Sequence, residues 1–492
     1  MTGIKKLAAL RGLDVYSQST VERDGTVYSL AAGSGGRVKQ LVIQGDTAGF
    51  EDARPGPGGI RLFPLTSGNA ARLRELLPWL RPQVLGLRAS VGFGDRLGLA
   101  TPGHVRALRR VGGDIAPLFC QQSMRENART GRTPRQVMDD ATWGVFESGW
   151  CQPWGADADH LKTVADVDIC LSAGYTFFTV DPGNHVNHEA QTASEEELES
   201  KVQSLPWADL CDTPQRLHER YLSRVFAVGD IVVEYDRMGL HRSVAKYGRA
   251  VAHTAKLYHY LARQSVPFEL EMSVDETETP TSVEEHLLIA IELKRLGVKW
   301  VSLAPRYIGR FEKGVDYIGN LAEFGVQLAQ HAAVARTLGP YKLSIHSGSD
   351  KFSIYPAFAQ HAPRLVHLKT AGTSYLEALR AIARVEPELF REMAIVALEC
   401  FPQDRATYHV SARSSHVPAP EALADGELPA MLNQFDARQV FHVTFGSILD
   451  RFGPRLRDLL VANEAAHYGA LEAHFVRHLE PFVAAADMPA NL

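Results

Sequence analysis

The stretch FELEMSVDE, residues 268–276, decides the fold class of this sequence because apolar and polar residues alternate strictly along it. A period of two is typical of a β-strand whose two faces meet different surroundings. The apolar face consists of Phe268, Leu270, Met272 and Val274, and the polar face of Glu269, Glu271, Ser273 and Asp275. A carboxylate on an inward face is costly to bury without a partner. We therefore expect Glu271 to meet a cation, a hydrogen-bond donor or a metal.

Other short apolar strands share this rhythm of strand, polar loop and amphipathic helix. With 268–276 included, the predicted strands are 84–92, 114–123, 154–160, 175–183, 268–276, 299–306, 341–347 and 364–370. The predicted helices between and after them are 102–111, 135–147, 164–173, 281–296, 321–338 and 375–385. Strands that alternate with helices favour a parallel sheet, and eight such strands predict an α/β fold of the TIM-type (β/α)₈ barrel class.

The strand rhythm also predicts the domain organisation. The barrel is expected over residues 81–385, with an acidic, helix-rich insertion at 184–266 after the fourth strand. Residues 1–80 are interpreted as a small N-terminal α/β segment, and residues 386–492 as a C-terminal helical extension. The C-terminal helices either cover the barrel or form a contact in a homo-oligomer, and the sequence leaves both interpretations open.

Composition excludes several classes of partner. The 492 residues include 52 Lys plus Arg against 57 Asp plus Glu, a net charge of −5 that favours neither nucleic acid nor an anionic membrane surface. No apolar run is long enough for a membrane span, and the N-terminus lacks the apolar core of a signal peptide. The five cysteines are scattered without a C-x-x-C pair, which predicts free thiols and a cytoplasmic location.

The predicted strands end in residues suited to catalysis. In a (β/α)₈ barrel the chemistry lies at the C-terminal ends of the strands. Strand three ends at Asp159 and His160, strand seven at His346, and strand eight contains His367 and Lys369. A single histidine near a barrel rim is usually a hydrogen-bonded structural residue. Three of them on separate strand ends, together with carboxylates, instead favour a site for Zn²⁺, Mn²⁺, Co²⁺ or Ni²⁺.

A second signal follows strand eight, in the segment TAGTSYLEALR at residues 370–380. Gly372, Thr373 and Ser374 lie where a helix begins, and backbone N–H groups at a helix N-terminus bind anions. The loop after strand seven, which contains Ser347, Gly348, Ser349 and Lys351, could assist them. The alternative is an ordinary Ser/Thr helix cap. An anion site would indicate an acidic or phosphorylated small-molecule substrate.

Several longer strings are specific enough to suggest a family. They are LRASVGFGDRLGLATPGH, QQSMRENARTGRTPRQVMDDATWGVF, GADADH, SVDETETPTS, LAPRYIGRFEKGVDYIGN, HSGSDKFSIYPAF and VHLKTAGTSYLEA. Together these strings resemble the tagaturonate epimerase family from about residue 84 to about residue 385, and residues 1–80 contribute little. Tagatose 4-epimerases look similar as well.

The resemblance implies a metal-dependent isomerase that interconverts D-tagaturonate and D-fructuronate, two keto-hexuronates. It implies Asp159 and Glu271 as the acid/base pair and His160, His346 and His367 as metal ligands. The substrate carboxylate would be held by the AGTS segment (Gly372, Thr373 and Ser374), Lys351 and Arg306. Lys369 is a further substrate-binding candidate, and it could also form a Schiff base as in a metal-free aldolase.

The carbon that this reaction inverts is β to the ketone, so the carbonyl does not acidify its hydrogen. Retro-aldol cleavage followed by recapture on the other face would avoid this problem, with a metal stabilising the enediolate. Metal-assisted deprotonation of the same carbon remains an alternative. Transient oxidation by a nicotinamide is disfavoured because the chain lacks a convincing G-x-G-x-x-G. The rival functions are a tagatose/fructose 4-epimerase, a class II-type metal aldolase acting on a keto-sugar acid, and a non-catalytic sugar-binding barrel.

Overall fold

The computed structural model describes residues 13–33, 38–347 and 350–486. It begins with an antiparallel sheet of five strands in the order β1-β2-β3-β5-β4. These strands are β1 (Leu13–Arg23), β2 (Thr26–Gly33), β3 (Lys39–Gln44), β4 (Arg54–Pro55) and β5 (Arg61–Phe63). Helix α1 (Ser67–Leu76) follows, and the side chain of Thr66 caps its N-terminus by accepting from the Asn69 amide.

Eight parallel strands then close into a barrel, which confirms the predicted fold. They are β6 (Ser90–Gly92), β7 (Ala116–Ser123), β8 (Gly155–Leu161), β9 (Phe177–Val180), β12 (Glu269–Ser273), β13 (Ser302–Ala304), β14 (Lys342–Ile345) and β15 (Val366–Lys369). Strand β15 pairs with β6 and β9 pairs with β12, so no barrel edge is left open. The alternation in residues 268–276 has the predicted effect, because Leu270 and Met272 lie in the apolar core while Glu271 contacts Lys369 of β15 and His346, the residue that follows β14.

Helices surround the barrel at nearly the predicted positions. They are α2 (Thr101–Val111), α3 (Met124–Thr130), α4 (Pro134–Ser148), α5 (Val164–Ala173), α9 (Val283–Arg295), α10 (Leu321–Leu338), α11 (Tyr355–His361) and α12 (Thr373–Val385). Helix α9 shows why the sequence pattern worked, because Ser282 and Glu285 form a reciprocal capping box at its start. The short helices α3 and α11 were not predicted, since seven residues give too little periodicity.

The segment between β9 and β12 contains α6 (Glu195–Gln203), α7 (Pro214–Tyr221) and α8 (Arg237–Ala262). It also contains an antiparallel hairpin of β10 (Val225–Val228) and β11 (Ile231–Glu234), which the helix-rich interpretation missed. Gly229 and Asp230 separate two apolar runs at this point, which is the sequence signal of a tight hairpin.

The C-terminal region is helical and packs against the barrel. Its helices are α13 (Pro387–Asp404), α14 (Leu428–Met431), α15 (Phe435–Val443), α16 (Phe445–Ala462) and α17 (Glu464–Ala486). Helix α17 lies along α2 and α12, and its Leu471 and Phe475 share one apolar core with Val91 and Phe93 of the barrel. Among the helices that the structure describes, none combines the length and apolar character needed to cross a membrane.

Candidate active site

Three carboxylates surround one ammonium group inside the barrel. The Lys369 Nζ lies 2.8 Å from Asp159 Oδ1, 2.9 Å from Asp157 Oδ2 and 3.0 Å from Glu271 Oε1, and it donates to Thr179 Oγ1 at 2.6 Å. The alternation of side chains along each strand explains why these groups lie together. Asp157 and Asp159 are two residues apart on β8, so both point into the barrel, as do Glu271 on β12 and Lys369 on β15. All five side chains are buried.

This arrangement keeps the carboxylates ionised despite their burial. Burial opposes the charge on Asp159, but Lys369 and the imidazoles of His160 and His346 hold the pKa of this carboxyl below its usual value. Burial likewise opposes the charge on Glu271, whose pKa is held well below its usual value mainly by Lys369 and His346. Burial would lower the pKa of Lys369, yet Asp157, Asp159 and Glu271 raise it above the ordinary lysine value. Lys369 is therefore a fixed cation rather than a free amine.

Two imidazoles face each other beside these carboxylates. His346 Nδ1 lies 3.3 Å from His160 Nε2, and the two rings are perpendicular. The other nitrogen of each ring is fixed by a carboxylate, with His346 Nε2 2.7 Å from Glu271 Oε1 and His160 Nδ1 3.2 Å from Asp181 Oδ2. His160 has a φ of +53°, a conformation that is costly for a residue with a side chain and is often found at functional sites.

The charge around His160 favours a cation between the two rings. Burial would lower its pKa, but the Asp159 carboxylate and the contact with Asp181 raise the pKa of His160 to about 10. Asp159, His160 and His346 each offer a ligand atom, and these atoms lie within 4.8 Å of one another. Two ligands at about 2.0–2.1 Å from a tetrahedral zinc lie about 3.3 Å apart, which matches the separation of the facing nitrogens. These three residues, called the cavity cluster below, therefore fit a divalent metal.

The cavity cluster opens into a cleft at the C-terminal ends of the strands. The cleft is lined by Arg96, Gln121, Ser123, Arg125, Glu126, Asp159, His160, Lys313, Gly314, His346, Ser347, Lys369, Ala371, Gly372, Tyr408 and His442. Arg125 and Lys313 both approach Oε1 of the Glu276 carboxylate, at 3.1 Å and 3.9 Å. Both cations are partly exposed, so they can reach a bound anion.

His367 does not join the other two predicted ligand histidines. It lies one alternation deeper on β15, where its Nδ1 is 2.9 Å from Ser90 Oγ and its Nε2 is 3.8 Å from Asp157 Oδ2. It is absent from the cleft lining, and the ligand-atom group around His160 and His346 contains Asp159 instead. The structure therefore does not favour His367 as the third ligand.

The predicted anion site at the start of α12 is only partly open to the cleft. Gly372 lines the cleft, but Ser374 Oγ donates to the Gly94 carbonyl at 2.6 Å and lies 2.8 Å from His104 Nε2. Thr373 is fully buried. No side chain caps the helix, so the alternative of an ordinary Ser/Thr cap does not apply either.

Two predicted substrate cations face elsewhere. The buried Lys351 donates to the main-chain carbonyls of Glu312, at 2.8 Å, and Val315. Arg306 donates to the carbonyls of Tyr307 at 2.6 Å and Gly309 at 3.1 Å. Neither residue lines the cleft, so their placement does not favour direct substrate contact. Of the loop predicted to assist them, Ser347 lines the cleft, whereas Gly348 and Ser349 lie outside the described residues.

A second group of the same composition lies near the C-terminal helix. Asp350, His474 and His478 are buried and offer ligand atoms within 4.8 Å of one another, and they are called the C-terminal cluster below. Asp350 is already paired, with Oδ2 2.6 Å from Arg438 and Oδ1 2.5 Å from His474 Nε2. His474 Nδ1 lies 3.2 Å from Glu377, so this imidazole bridges two carboxylates.

Sequence reasoning missed several cleft residues, among them Gln121, Arg125, Lys313 and Tyr408. Gln121 donates to Asp159 Oδ2 at 2.9 Å and so orients the predicted acid/base group. Gln121 and Arg125 are in the quoted string that begins QQSMRENARTG, and Lys313 is in the one that ends RFEKGVDYIGN. The signal was therefore present at the end of barrel strand two, in the short helix after it, and in the loop after strand six. Tyr408 comes from the C-terminal region, and nothing in its sequence context pointed to the barrel.

Ionised groups buried at the strand ends of a closed (β/α)₈ barrel, beside a cleft with two partly exposed cations, indicate a barrel enzyme for a small anionic molecule. Comparison with known proteins makes the assignment specific. The sequence profile of a family described as tagaturonate epimerase matches residues 16–482. A tagaturonate/fructuronate epimerase from Thermotoga maritima is 42% identical over 477 residues, which cover 96% of this chain and 97% of the relative.

Solved structures agree with the sequence comparison. A glycerol-complexed crystal structure of fructuronate-tagaturonate epimerase from Cohnella laeviribosi superimposes with a TM-score of 0.91 at 37% identity, covering 97% of this chain and 98% of the other. The native crystal structure of that enzyme gives the same TM-score of 0.91 at 38% identity and the same coverage, 97% and 98%. The chain belongs to the tagaturonate epimerase family. It is therefore an epimerase of the isomerase class.

Proposed function

We propose that this chain interconverts D-tagaturonate and D-fructuronate in the breakdown of hexuronates, using a divalent metal. The observation that carries the proposal is the ionised Asp159, which faces the cleft between the Lys369 ammonium and two imidazoles. The 42% identical relative bears the name of this activity, which supports the same substrates here.

In this proposal His160 and His346 hold the metal, which is Zn²⁺, Mn²⁺, Ni²⁺ or Co²⁺ by the preference of imidazole ligands. Asp181 and Glu271 hold the far nitrogens of the two rings and so orient them. A divalent ion bound there would supply Lewis-acid stabilisation of the oxyanion that develops during the reaction. Asp159 lies within reach of the same point and acts as the acid/base group.

The position of the inverted carbon favours a retro-aldol route. Its hydrogen is β to the ketone and is not acidified, so a carboxylate is too weak a base to remove it. Asp159 instead takes the proton of the hydroxyl on that carbon. The bond to the neighbouring α-carbon then breaks, its electron pair forms an enediolate, and an aldehyde is left on the other fragment. After rotation of the aldehyde the bond forms again on its opposite face, and the proton returns to the new alkoxide.

Glu271 acts from below the cleft rather than on the substrate directly. It is fully buried and does not line the cleft, but its Oε1 contacts both Lys369 and His346. We infer that Glu271 serves the acid/base pair by orienting the His346 ring and the Lys369 ammonium, and that Lys369 keeps Asp159 ionised and oriented between proton transfers.

Arg125 and Lys313 are proposed to bind the substrate carboxylate. They replace Lys351 and Arg306 in this role because they line the cleft and remain partly exposed. Two cations at the cleft favour a hexuronate over the neutral pair fructose and tagatose, which has no carboxylate to bind.

The test is to incubate the purified enzyme with D-tagaturonate in D₂O and follow the products by NMR. The expected result is D-fructuronate without deuterium at the inverted carbon, and slower or no conversion of D-tagatose to D-fructose. Deuterium at that carbon would contradict the retro-aldol route and indicate direct deprotonation of the inverted carbon. Release of free three-carbon fragments without epimer would make the enzyme an aldolase, and a preference for tagatose would overturn the uronate assignment.

A further inference from the structure

The loop that carries Lys313 is fastened along its main chain while Lys313 itself projects into the cleft. The Lys313 Nζ donates to Ser347 Oγ at 2.5 Å, at the end of the strand that carries His346. The residue on its N-terminal side, Glu312, is buried, and its Oε2 accepts from the Ser411 amide at 2.9 Å and from Gln439 Nε2 at 2.8 Å. The loop is thus held at one end by the C-terminal region.

Lys351 fastens the same loop from the opposite side. Its ammonium donates to the carbonyl oxygens of Glu312 and Val315, which are the residues that flank Lys313 and Gly314. Lys351 is fully buried, so placing its charge there costs free energy that the contacts must offset. We therefore expect a buried lysine that donates to two main-chain carbonyls beside a cleft to have a structural role.

Arg438 holds a third carbonyl of the loop. Its Nε donates to the Gly314 oxygen at 2.7 Å, and its Nη2 donates to Asp350 Oδ2 at 2.6 Å. Asp350 is the residue next to Lys351, so the guanidinium joins the loop of Lys313 to the segment of Lys351. The planar guanidinium with several fixed donors suits such a bridge, and a lysine could not reproduce it.

We propose that Lys351 and Arg438 are positioning residues that hold the loop at residues 312–315 so that the Lys313 ammonium meets the substrate carboxylate. This inference rests on the proposed function, which assigns Lys313 to that carboxylate. It gives the C-terminal region a part in substrate recognition although its Arg438 does not line the cleft.

A double-mutant cycle tests the proposal on the metal-loaded enzyme. The variants are Lys351→Met, Lys313→Met and the combination of both, and KM and kcat are measured with D-tagaturonate. If Lys351 acts through Lys313, each single change raises KM by about tenfold with a smaller effect on kcat, and the double variant is no worse than Lys313→Met. The matched control is Lys294→Met, at an exposed lysine on α9, and it should retain the KM of the unchanged enzyme.

Additive effects of the two changes, or an unchanged KM in Lys351→Met, would overturn the proposal while leaving the carboxylate assignment intact. An unchanged KM in Lys313→Met would instead overturn that assignment and this inference with it. Should Lys351→Met fail to fold, judged by circular dichroism, Arg438→Lys enters the same cycle. It keeps the charge but loses the fixed fork that reaches both Gly314 and Asp350, and the same non-additivity with Lys313→Met is expected.

Discussion

The cavity cluster and the C-terminal cluster contain the same side chains, one aspartate and two histidines within 4.8 Å, yet their surroundings differ. Around the cavity cluster the carboxylates of Asp157, Asp159 and Glu271 share a single ammonium, that of Lys369. In the C-terminal cluster a guanidinium already neutralises the aspartate, which is Asp350. The counter-charges, and not the ligand types, therefore distinguish the proposed metal site from the ion-pair network.

The histidine pKa values show the same contrast. Excess carboxylate raises the pKa of His160 to about 10 even though burial opposes the charge. In the C-terminal cluster burial dominates and lowers the pKa of His478 to about 4. The surroundings of His160 attract a further cation, whereas those of His478 keep its imidazole neutral.

The largest expected effect comes from removing the charge of one aspartate in each cluster. Asp159→Asn should lower kcat by about 10²–10⁴-fold because the acid/base group is lost, with the fold retained. Asp350→Asn should instead destabilise the protein by about 3 kcal/mol, since the buried Arg438 loses the nearer of its two charged partners, Asp350 and Glu377. Steady-state kinetics and urea unfolding of both variants measure the two effects. Equal losses of kcat in both variants would remove the distinction between the clusters.

The next largest effect is a difference in metal binding between variants of the two clusters. His346→Ala should weaken metal binding by a factor of about 100 or more, because a nitrogen ligand is lost, whereas His478→Ala should leave it unchanged. Metal analysis of the dialysed proteins should find about one ion per chain in the unchanged enzyme and in His478→Ala. Metal that is lost from His478→Ala and retained in His346→Ala would reverse the assignment.

The pH dependence of stability should report on His478. Its folded-state pKa of about 4 lies below the unfolded value, so the unfolded chain binds the proton first as pH falls. This contribution is complete above about pH 6.5 and is lost as pH falls toward 4, by about 2 kcal/mol between pH 7 and pH 5. Urea unfolding across this range should therefore show a shallower decline in His478→Gln. Parallel curves for the two proteins would contradict the neutral His478.

The smallest expected effect concerns Arg125 and Lys313, the cations at the cleft that belong to neither cluster. Arg125→Gln should raise the KM for D-tagaturonate by about tenfold with kcat less affected, because a charge-assisted contact to the carboxylate is lost. The matched control is Arg237→Gln, an exposed arginine on α8 that pairs with Glu199. A larger effect on kcat than on KM would place Arg125 in the chemistry instead.

The barrel and its inner residues were predictable because strand periodicity is a strong local signal. The alternation in FELEMSVDE placed Glu271 inside, and the same parity brought Asp159, His346 and Lys369 to one end of the barrel. Strand parity does not predict how far below the cleft an inward-facing side chain lies. His367 shares the face of Lys369, but one alternation along β15 places it below the cleft, beside Ser90.

Loop residues were harder to predict because their direction depends on tertiary contacts. Lys351 follows a strand end and carries a charge, so it was a reasonable candidate for the substrate carboxylate. Its side chain turns inward to two carbonyls of the neighbouring loop, and Lys313 of that loop faces the cleft in its place. Only the folded arrangement of both loops distinguishes these two lysines.

The most direct test of the account is to strip the purified enzyme with a chelator, add single metals back, and assay D-tagaturonate with the unchanged protein and with His346→Ala. The account predicts that activity disappears on stripping and returns with a divalent metal in the unchanged protein, but does not return in His346→Ala. Full activity in the stripped enzyme would contradict it and would discard the cavity cluster as a metal site.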